Sequence, residues 1–226
     1  EPQENKTPID NPAESEAQEK QEPKVSFPTP DLNRPVSAFI PLNPSVEADT
    51  KKKVALLIET LRKDPDDYTA WLGLGILLKT LGDYKGAEEI WLYVTLRWST
   101  DFVAYNNLGN LYHAELRDFP KAETAFLKAA SLRPDFIQTY INLHDLYRYS
   151  YKGQEAKAPG ALLQGLEKSP TNLNLMLALA RYYGETGDKV SASSYYKMAI
   201  QRAKTENKTT LAESLRQEAG EAGVEL

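Results

Sequence analysis

Four short stretches of this sequence decide its fold: residues 71–75 (WLGLG), 105–109 (YNNLG), 140–144 (YINLH) and 176–180 (MLALA). Each opens with a large side chain and has leucine three residues later, and each closes with a small residue except the third, which closes with His144. Their first residues are 34, 35 and 36 positions apart. A pattern that returns at this period predicts repeated copies of one supersecondary unit.

The second half of each unit repeats as well. An alanine is followed four residues later by a large apolar residue, and a proline, or Ser99 in one unit, closes the unit. Apolar residues at three- and four-residue spacing on both sides of a short break predict two helices per unit. One extra residue precedes Ala122, and two precede Ala158. The alanine pairs are Ala87 and Trp91, Ala122 and Phe126, Ala158 and Leu162, and Ala192 and Tyr196.

These residues resemble the tetratricopeptide repeat, in which a small residue lets two antiparallel helices approach and a proline ends the second helix. The resemblance implies an all-α, right-handed α-solenoid with a repeat domain at residues 51–226. Because a repeat stack otherwise exposes apolar ends, we expect capping helices at both ends, the second opening on a capping box formed by Thr210 and Glu213. The predicted repeats are 68–101, 102–136, 137–172 and 173–206, and the predicted caps are 51–63 and 210–219.

The first 50 residues have a different composition. Residues 1–24 hold seven acidic residues, three lysines and one large aliphatic residue, Ile9, and so predict a disordered acidic tether. Residues 25–50 hold five prolines but also seven apolar residues between Val25 and Leu42. The prolines, Pro44 among them, should keep this segment out of a helix, and apolar side chains such as Phe39 should be buried. We expect an extended strap on the folded surface. The favoured surface is the first layer around Val54, Leu57, Ile58 and Leu61, and the alternative is the start of a groove at Leu72 and Ile76.

The resemblance places a candidate partner-binding site on the first helices of the pairs, which line a concave groove in this family. Asn107 and Asn142 hold the same position in successive units, like two rungs of a ladder, and an amide that both donates and accepts can pair with any peptide backbone. The alternative is that these asparagines are only solvated. The predicted groove residues are Leu72, Ile76, Lys79, Asn106, Asn107, Asn110, His113, Ile141, Asn142, Asp145, Arg148, Asn174, Leu177 and Arg181.

The resemblance implies a protein-interaction scaffold that binds an extended peptide or a partner protein in this groove. Two alternatives stay open: a structural or assembly subunit that uses its convex face or its ends, and the regulatory part of a larger enzyme. One branch of the family clamps a terminal carboxylate with lysine, asparagine and arginine. Here the matching register supplies Asn110 and Asn142 but neither the lysines nor the arginine, so we do not expect that activity.

The sequence predicts no enzyme. Phosphate-binding loops and the motifs of zinc proteases and serine hydrolases are absent from it. Of the two histidines, His113 is predicted to face the groove and His144 to lie in the core. With no cysteine, disulfides and thiolate metal sites are excluded. We therefore predict no catalytic residue, no metal site and no cofactor.

Charge bears on partners and location. The net charge is −5, of which residues 1–24 carry −4 (seven acids and three lysines), so the rest of the chain lacks the basic surface that nucleic acid requires. We expect a protein or peptide partner, no nucleic acid, and a monomer unless the chain joins an assembly. An acidic lead segment beginning at Glu1 is what a tether left by a removed signal peptide or membrane anchor would look like. We expect an extracytoplasmic, membrane-tethered location, with a cytoplasmic one as the alternative.

Overall fold

The computed structural model describes residues 29–226. The predicted tether at 1–24 and the first residues of the predicted strap lie outside the described residues. Between residues 29 and 226 the regular structure is entirely helical and contains no strand, and the helices follow one another as antiparallel pairs. The all-α solenoid predicted from the repeat is confirmed. The α-helices are α1 (Pro44–Lys63), α2 (Tyr68–Thr80), α3 (Tyr84–Arg97), α4 (Phe102–Asn110), α5 (Phe119–Leu132), α6 (Ile137–Asp145), α7 (Ala158–Lys168), α8 (Leu173–Thr186), α9 (Lys189–Thr205) and α10 (Thr209–Glu221).

Two of the first helices end in a π-helical turn. Leu111–Leu116 continues α4 and Leu146–Ser150 continues α6, and a 3-10 turn at Glu155–Lys157 leads into α7. These are the two units with extra residues before their alanines. A π turn holds one more residue than an α turn does, so it absorbs an insertion without breaking the helix.

Acidic and amide side chains begin most of the helices. Asp67, Asp83, Asp101, Asp118 and Asp188 each accept a hydrogen bond from a backbone N–H two or three residues further on. An oxygen at this position satisfies a donor that the first helical turn leaves free. The breaks in the sequence pattern therefore mark the helix starts.

Small residues decide how closely the two helices of a pair approach. A methyl group at Gly109 would lie 2.5 Å from the Phe126 ring, so only glycine lets this aromatic residue pack against α4. The third unit reverses the sizes. His144 takes the place of the small residue, and Leu162 takes the place of the aromatic one. Both are buried, so the exchange of sizes keeps the pair packed.

The strap is shorter than predicted, because α1 begins at Pro44 and not at residue 51. Proline at a helix start is favourable, since its φ angle is already helical and its missing N–H is not needed there. The Asn43 side chain accepts a hydrogen bond from the Ser45 N–H at 3.0 Å and caps the helix. The prediction that Pro44 keeps its segment out of a helix was wrong.

The last helix also departs from its predicted bounds. It runs from Thr209 to Glu221, one residue earlier and two residues later than the predicted cap at 210–219. Lys208 precedes it and supplies no side-chain cap, so the expected capping box does not start this helix. Ala212, Leu215 and Ala219 are buried against the end of the stack.

Residues 29–43 form a strap without helix or strand and with a turn at residues 32–33. Beyond the buried Pro30, its side chains alternate between half-buried and exposed. Leu32, Val36, Ala38 and Leu42 pack against the core of the first helices. Phe39, which we expected to be buried, is 64% exposed because it falls on the outward side of this alternation. Its backbone N–H instead donates to the Leu81 carbonyl at 2.7 Å. The strap thus covers the favoured surface, the first layer.

Within residues 29–226, no helix combines the length and the apolarity that a bilayer span requires.

Candidate functional site

The first helix of each pair carries most of the predicted groove residues. We call α2, α4, α6 and α8 the A helices and α1, α3, α5, α7 and α9 the B helices. The surface where the A helices lie side by side is the A face. Between α2 and α4 this face holds a cavity of about 550 Å³, which we call the A-face pocket. Its lining is Ile40, Ile76, Lys79, Thr80, Tyr84, Trp91, Asn107, Asn110, Ala114 and Glu115.

The A-face pocket combines an apolar side with polar groups. Ile76 is half exposed there. Lys79 and Glu115 lie 3.5 Å apart across the opening. Burial, and then the hydrogen bond to Glu115, raise the pKa of the Tyr84 hydroxyl, which therefore stays protonated as a donor. Ile40 brings the end of the strap to this pocket, so the strap touches the alternative docking surface as well as the first layer.

The asparagines predicted as a ladder have different surroundings. The Asn142 amide donates to Asn106 Oδ1 at 3.4 Å, and its oxygen accepts from Gln138 Nε2 at 3.0 Å. Asn107 lines the A-face pocket, and between residues 29 and 226 its side chain has no hydrogen-bond partner. The equivalent positions are therefore not two rungs of one ladder. Asn142 is held within the protein, whereas Asn107 faces open space.

Two further asparagines join this network. Asn106 Oδ1 also accepts from the Thr139 hydroxyl at 3.3 Å. The Asn110 amide donates to the Asn106 backbone carbonyl at 3.0 Å and still lines the pocket. The side chains of α4 and α6 thus fix each other, and the groups left for a ligand gather between α2 and α4.

The two histidines are held by neighbouring residues. His113 Nε2 lies 2.8 Å from the Ser150 hydroxyl, and burial lowers the pKa of its imidazole, which favours the neutral form. His144 is buried, as predicted, and its Nδ1 lies 2.9 Å from Asp145 Oδ1. Among the described residues there is no group of three or more His, Asp or Glu side chains that could hold a metal ion.

The later A helices depart from the predicted groove. Leu177 is only 9% exposed, and Arg181 makes two hydrogen bonds to Glu218 of α10, at 2.7 and 3.0 Å. Leu177 therefore belongs to the core of the last repeats, and Arg181 holds the C-terminal cap in place. Asn174 lines a separate polar pocket with Arg202 and Glu206. The structure leaves Ile141 half buried and brings Arg148 within 3.7 Å of Glu185.

A repeated polar cluster escaped the sequence analysis. Glu88 of α3 accepts from the Tyr112 hydroxyl at 2.9 Å, and Lys121 of α5 lies 3.4 Å from the same carboxylate and over the Tyr112 ring. One repeat later, Glu123, Tyr147 and Lys157 form the same arrangement, at 2.8 and 2.7 Å. Burial and the carboxylates raise the pKa values of both tyrosines well above the ordinary value. The signal was present, since glutamate follows Ala87 and Ala122 and lysine precedes Ala122 and Ala158.

The fold and its repeats define the class of protein. Residues 103–136 match the family model of the tetratricopeptide repeat, and the helix pairs stack as in proteins of that family. The predicted resemblance to the tetratricopeptide repeat is confirmed by this match and by the all-helical solenoid fold. The class serves generally as a protein-interaction scaffold.

Particular relatives share parts of the chain. The human protein O-mannosyl-transferase TMTC3 is 28% identical over 148 residues, which is 59% of this chain but only 16% of that protein. The crystal structure of MamA superposes with a TM-score of 0.59 at 20% identity and covers 75% of this chain and 99% of its own. The Pseudomonas aeruginosa protein PilF gives a TM-score of 0.56 at 20% identity, covering 76% and 83%. The likeness to the two solved structures shows the fold alone, and the chain spans about one sixth of the length of TMTC3.

Proposed function

We propose that this scaffold binds an extended segment of a partner protein in the A-face pocket between α2 and α4. The observation that carries the proposal is the composition of that pocket. Ile76 gives an apolar contact, and the Asn107 amide offers a donor and an acceptor that no group between residues 29 and 226 uses. A cavity of about 550 Å³ falls in the size range of ligand pockets in proteins. An unpaired amide beside an apolar contact suits a peptide, whose backbone alternates with side chains.

The proposed binding site is smaller than the groove predicted from the sequence. Asn142, Leu177 and Arg181 are committed to contacts within the chain, which favours the first two repeats over the last two as the binding region. The 16% share of TMTC3 that this chain covers supports a second candidate, a repeat region that serves a larger protein. Both candidates use the same pocket.

A matched pair of variants tests the proposal. Peptides of twelve residues are selected from a random library against the folded chain, and their affinities are then measured for the Asn107→Ala and Asn142→Ala variants. Asn107→Ala should weaken binding by about 1 kcal/mol or more, the value of one hydrogen bond. Asn142→Ala removes the amide at the equivalent position, where it is already engaged, and should leave binding unchanged. The proposal would be contradicted if the two substitutions changed peptide affinity equally. It would also be contradicted if Ile76→Lys weakened the binding of none of the selected peptides.

A further inference from the structure

The strap fills a groove between neighbouring B helices. Its residues Leu32 and Val36 lie between α1 and α3, and together they leave a cavity of only about 10 Å³ there. We call this place the first groove. The helices contribute Val54 and Ile58 from α1, Leu74 and Leu78 from α2, and Ile90 from α3. An extended segment that carries proline and buries alternate side chains is therefore the natural occupant of such a groove.

The next pair of B helices forms the same groove without an occupant from the described chain. Between α3 and α5 lies a cavity of about 600 Å³, with mainly apolar lining, which we call the second groove. Each helical residue that lines the first groove has an equivalent in the lining of the second. Leu92 replaces Ile58 five positions before the end of each B helix, and Leu108 replaces Leu74 three positions after the large residue of each A helix. Ala125 likewise replaces Ile90.

The two grooves differ in the origin of the positively charged side chain beside the helix-capping aspartate. In the first groove, the strap's Arg34 lies 2.7 Å from Asp83, the capping residue of α3. Gly86 leaves room for it, because a methyl group there would lie 2.7 Å from Arg34 Nη1. In the second groove, lysine replaces that glycine, and Lys121 lies 3.5 Å from Asp118, the capping residue of α5. The second groove therefore carries in its wall the positive charge that the strap brings to the first.

The exposed charges of the second groove indicate which charge a bound segment should carry. Lys121 and Lys128 are both exposed at its edge, and Lys121 is paired with Glu88 and Asp118. Lys128 has no ion-pair partner among residues 29–226, so it is the positive charge that an occupant meets. An arginine like that of the strap would meet like charge, and a carboxylate would meet opposite charge. The half-exposed Leu92 offers an apolar contact to an occupant.

We propose that the second groove binds an extended, proline-containing segment of a partner protein. This segment presents apolar side chains at alternate positions and a carboxylate where the strap has Arg34. It lies between α3 and α5 as the strap lies between α1 and α3. The site is on the B-helix side of the stack and is independent of the A-face pocket.

Two peptides cut from the strap itself test this proposal. One is the unaltered segment of residues 29–38, TPDLNRPVSA, and the other is the same segment with Arg34→Glu, TPDLNEPVSA. Each peptide carries a fluorescent label, and the full chain is titrated into it at low salt. Fluorescence anisotropy then gives the dissociation constant. We expect the glutamate peptide to bind at least fivefold more tightly than the arginine peptide. Lys128→Glu should reverse that order, since it replaces a positive charge of the groove by a negative one.

Two equivalent leucines provide the control. Leu92 lines the second groove and is 42% exposed, and Leu127 holds the same position one repeat later and is 46% exposed. Leu92→Lys should weaken the glutamate peptide about tenfold, Leu127→Lys less than twofold, and neither should lower the melting temperature appreciably. Backbone amide shifts on binding should concentrate in α3 and α5.

Three results would overturn the proposal. Equal affinities of the two peptides would show that the lysines do not select the occupant. Shifts confined to α1 and α2 would show that the peptide displaces the strap from the first groove. A tenfold gain in affinity after removal of residues 1–28 would identify the chain's own N-terminal segment, and not a partner, as the occupant.

Discussion

The first and second grooves share the same arrangement of helices, but the first is filled by the strap and the second is open. Val54, Leu78 and Gly86 make the first groove apolar and roomy, and the chain's own strap closes it. In the second groove these positions are Glu88, Tyr112 and Lys121, which bond to one another and leave an open cavity beside them. The comparison teaches that a repeat can keep its backbone while a few side chains decide whether a surface is closed or open.

The largest expected effect follows from emptying the first groove. Deletion of residues 1–42 removes the side chains of Leu32, Val36, Ile40 and Leu42, which are partly buried against the first helices. At about 1 kcal/mol for each of these partly buried side chains, the free energy of unfolding should fall by about 4 kcal/mol. Urea denaturation followed by circular dichroism measures the loss.

The same deletion bears on the A-face pocket. Ile40 forms part of that pocket, so its removal widens the opening. If the strap only caps the first layer, the deletion lowers stability and leaves peptide affinity unchanged. If it also competes for the pocket, affinity rises. A chain that keeps both its stability and its affinity would show that the strap is not held in the first groove at all.

Much of this comparison could not be read from the sequence. The spacing of the repeated residues can be read directly from the sequence. It therefore predicts the helix pairs and the contact of Gly109 with Phe126. Which side of the strap faces inward depends on where it docks, and Phe39 was misplaced for that reason. Pro44 was misjudged because proline opens a helix as readily as it breaks one. Asn142 looked equivalent to Asn107, but its partner Asn106 lies on another helix, and only the folded stack creates that contact.

A smaller effect on stability is expected from a substitution of Gly86, the first-groove residue that is replaced by Lys121 in the second groove. A methyl group at Gly86 would lie 2.5 Å from Asp83 Oδ2 and 2.7 Å from Arg34 Nη1, so Gly86→Ala must displace the ion pair that anchors the strap. We expect a loss of about 1–2 kcal/mol, because the crowding outweighs the roughly 0.5–1 kcal/mol that alanine gains over glycine inside a helix.

Gly184 in α8 supplies the matched control for this substitution. A methyl group at Gly184 meets no atom within 4 Å, so Gly184→Ala should keep the helix gain and stabilise the chain. Hydrogen exchange of the Phe39 amide, which bonds to Leu81, reports on the strap directly. Faster exchange in Gly86→Ala but not in Gly184→Ala is the expected outcome. Stabilisation by both substitutions would mean that Arg34 does not need the space at Gly86.

The smallest effect concerns the polar cluster one repeat beyond the second groove. Burial alone would raise the pKa of Glu123, but the hydrogen bonds from Lys157 and Tyr147 outweigh it and hold the pKa below the ordinary value of 4.5. A carboxyl whose pKa is lowered by folding stabilises the protein above its unfolded pKa and loses that contribution as the pH falls through the folded value. The chain should therefore lose stability below about pH 4.5, by less than about 1 kcal/mol from this partly exposed group.

Glu123→Gln isolates this contribution, because glutamine keeps an acceptor for Tyr147 but does not titrate. Thermal unfolding between pH 6 and pH 3 should give a shallower fall in stability for the variant than for the unaltered chain, and the two curves should converge at the acid end. Parallel curves would show that the cluster holds no charge-dependent stability. The polar residues that distinguish the later grooves from the first would then be explained by hydrogen bonding alone, and the preference of the second groove for an acidic occupant would depend on its exposed lysines.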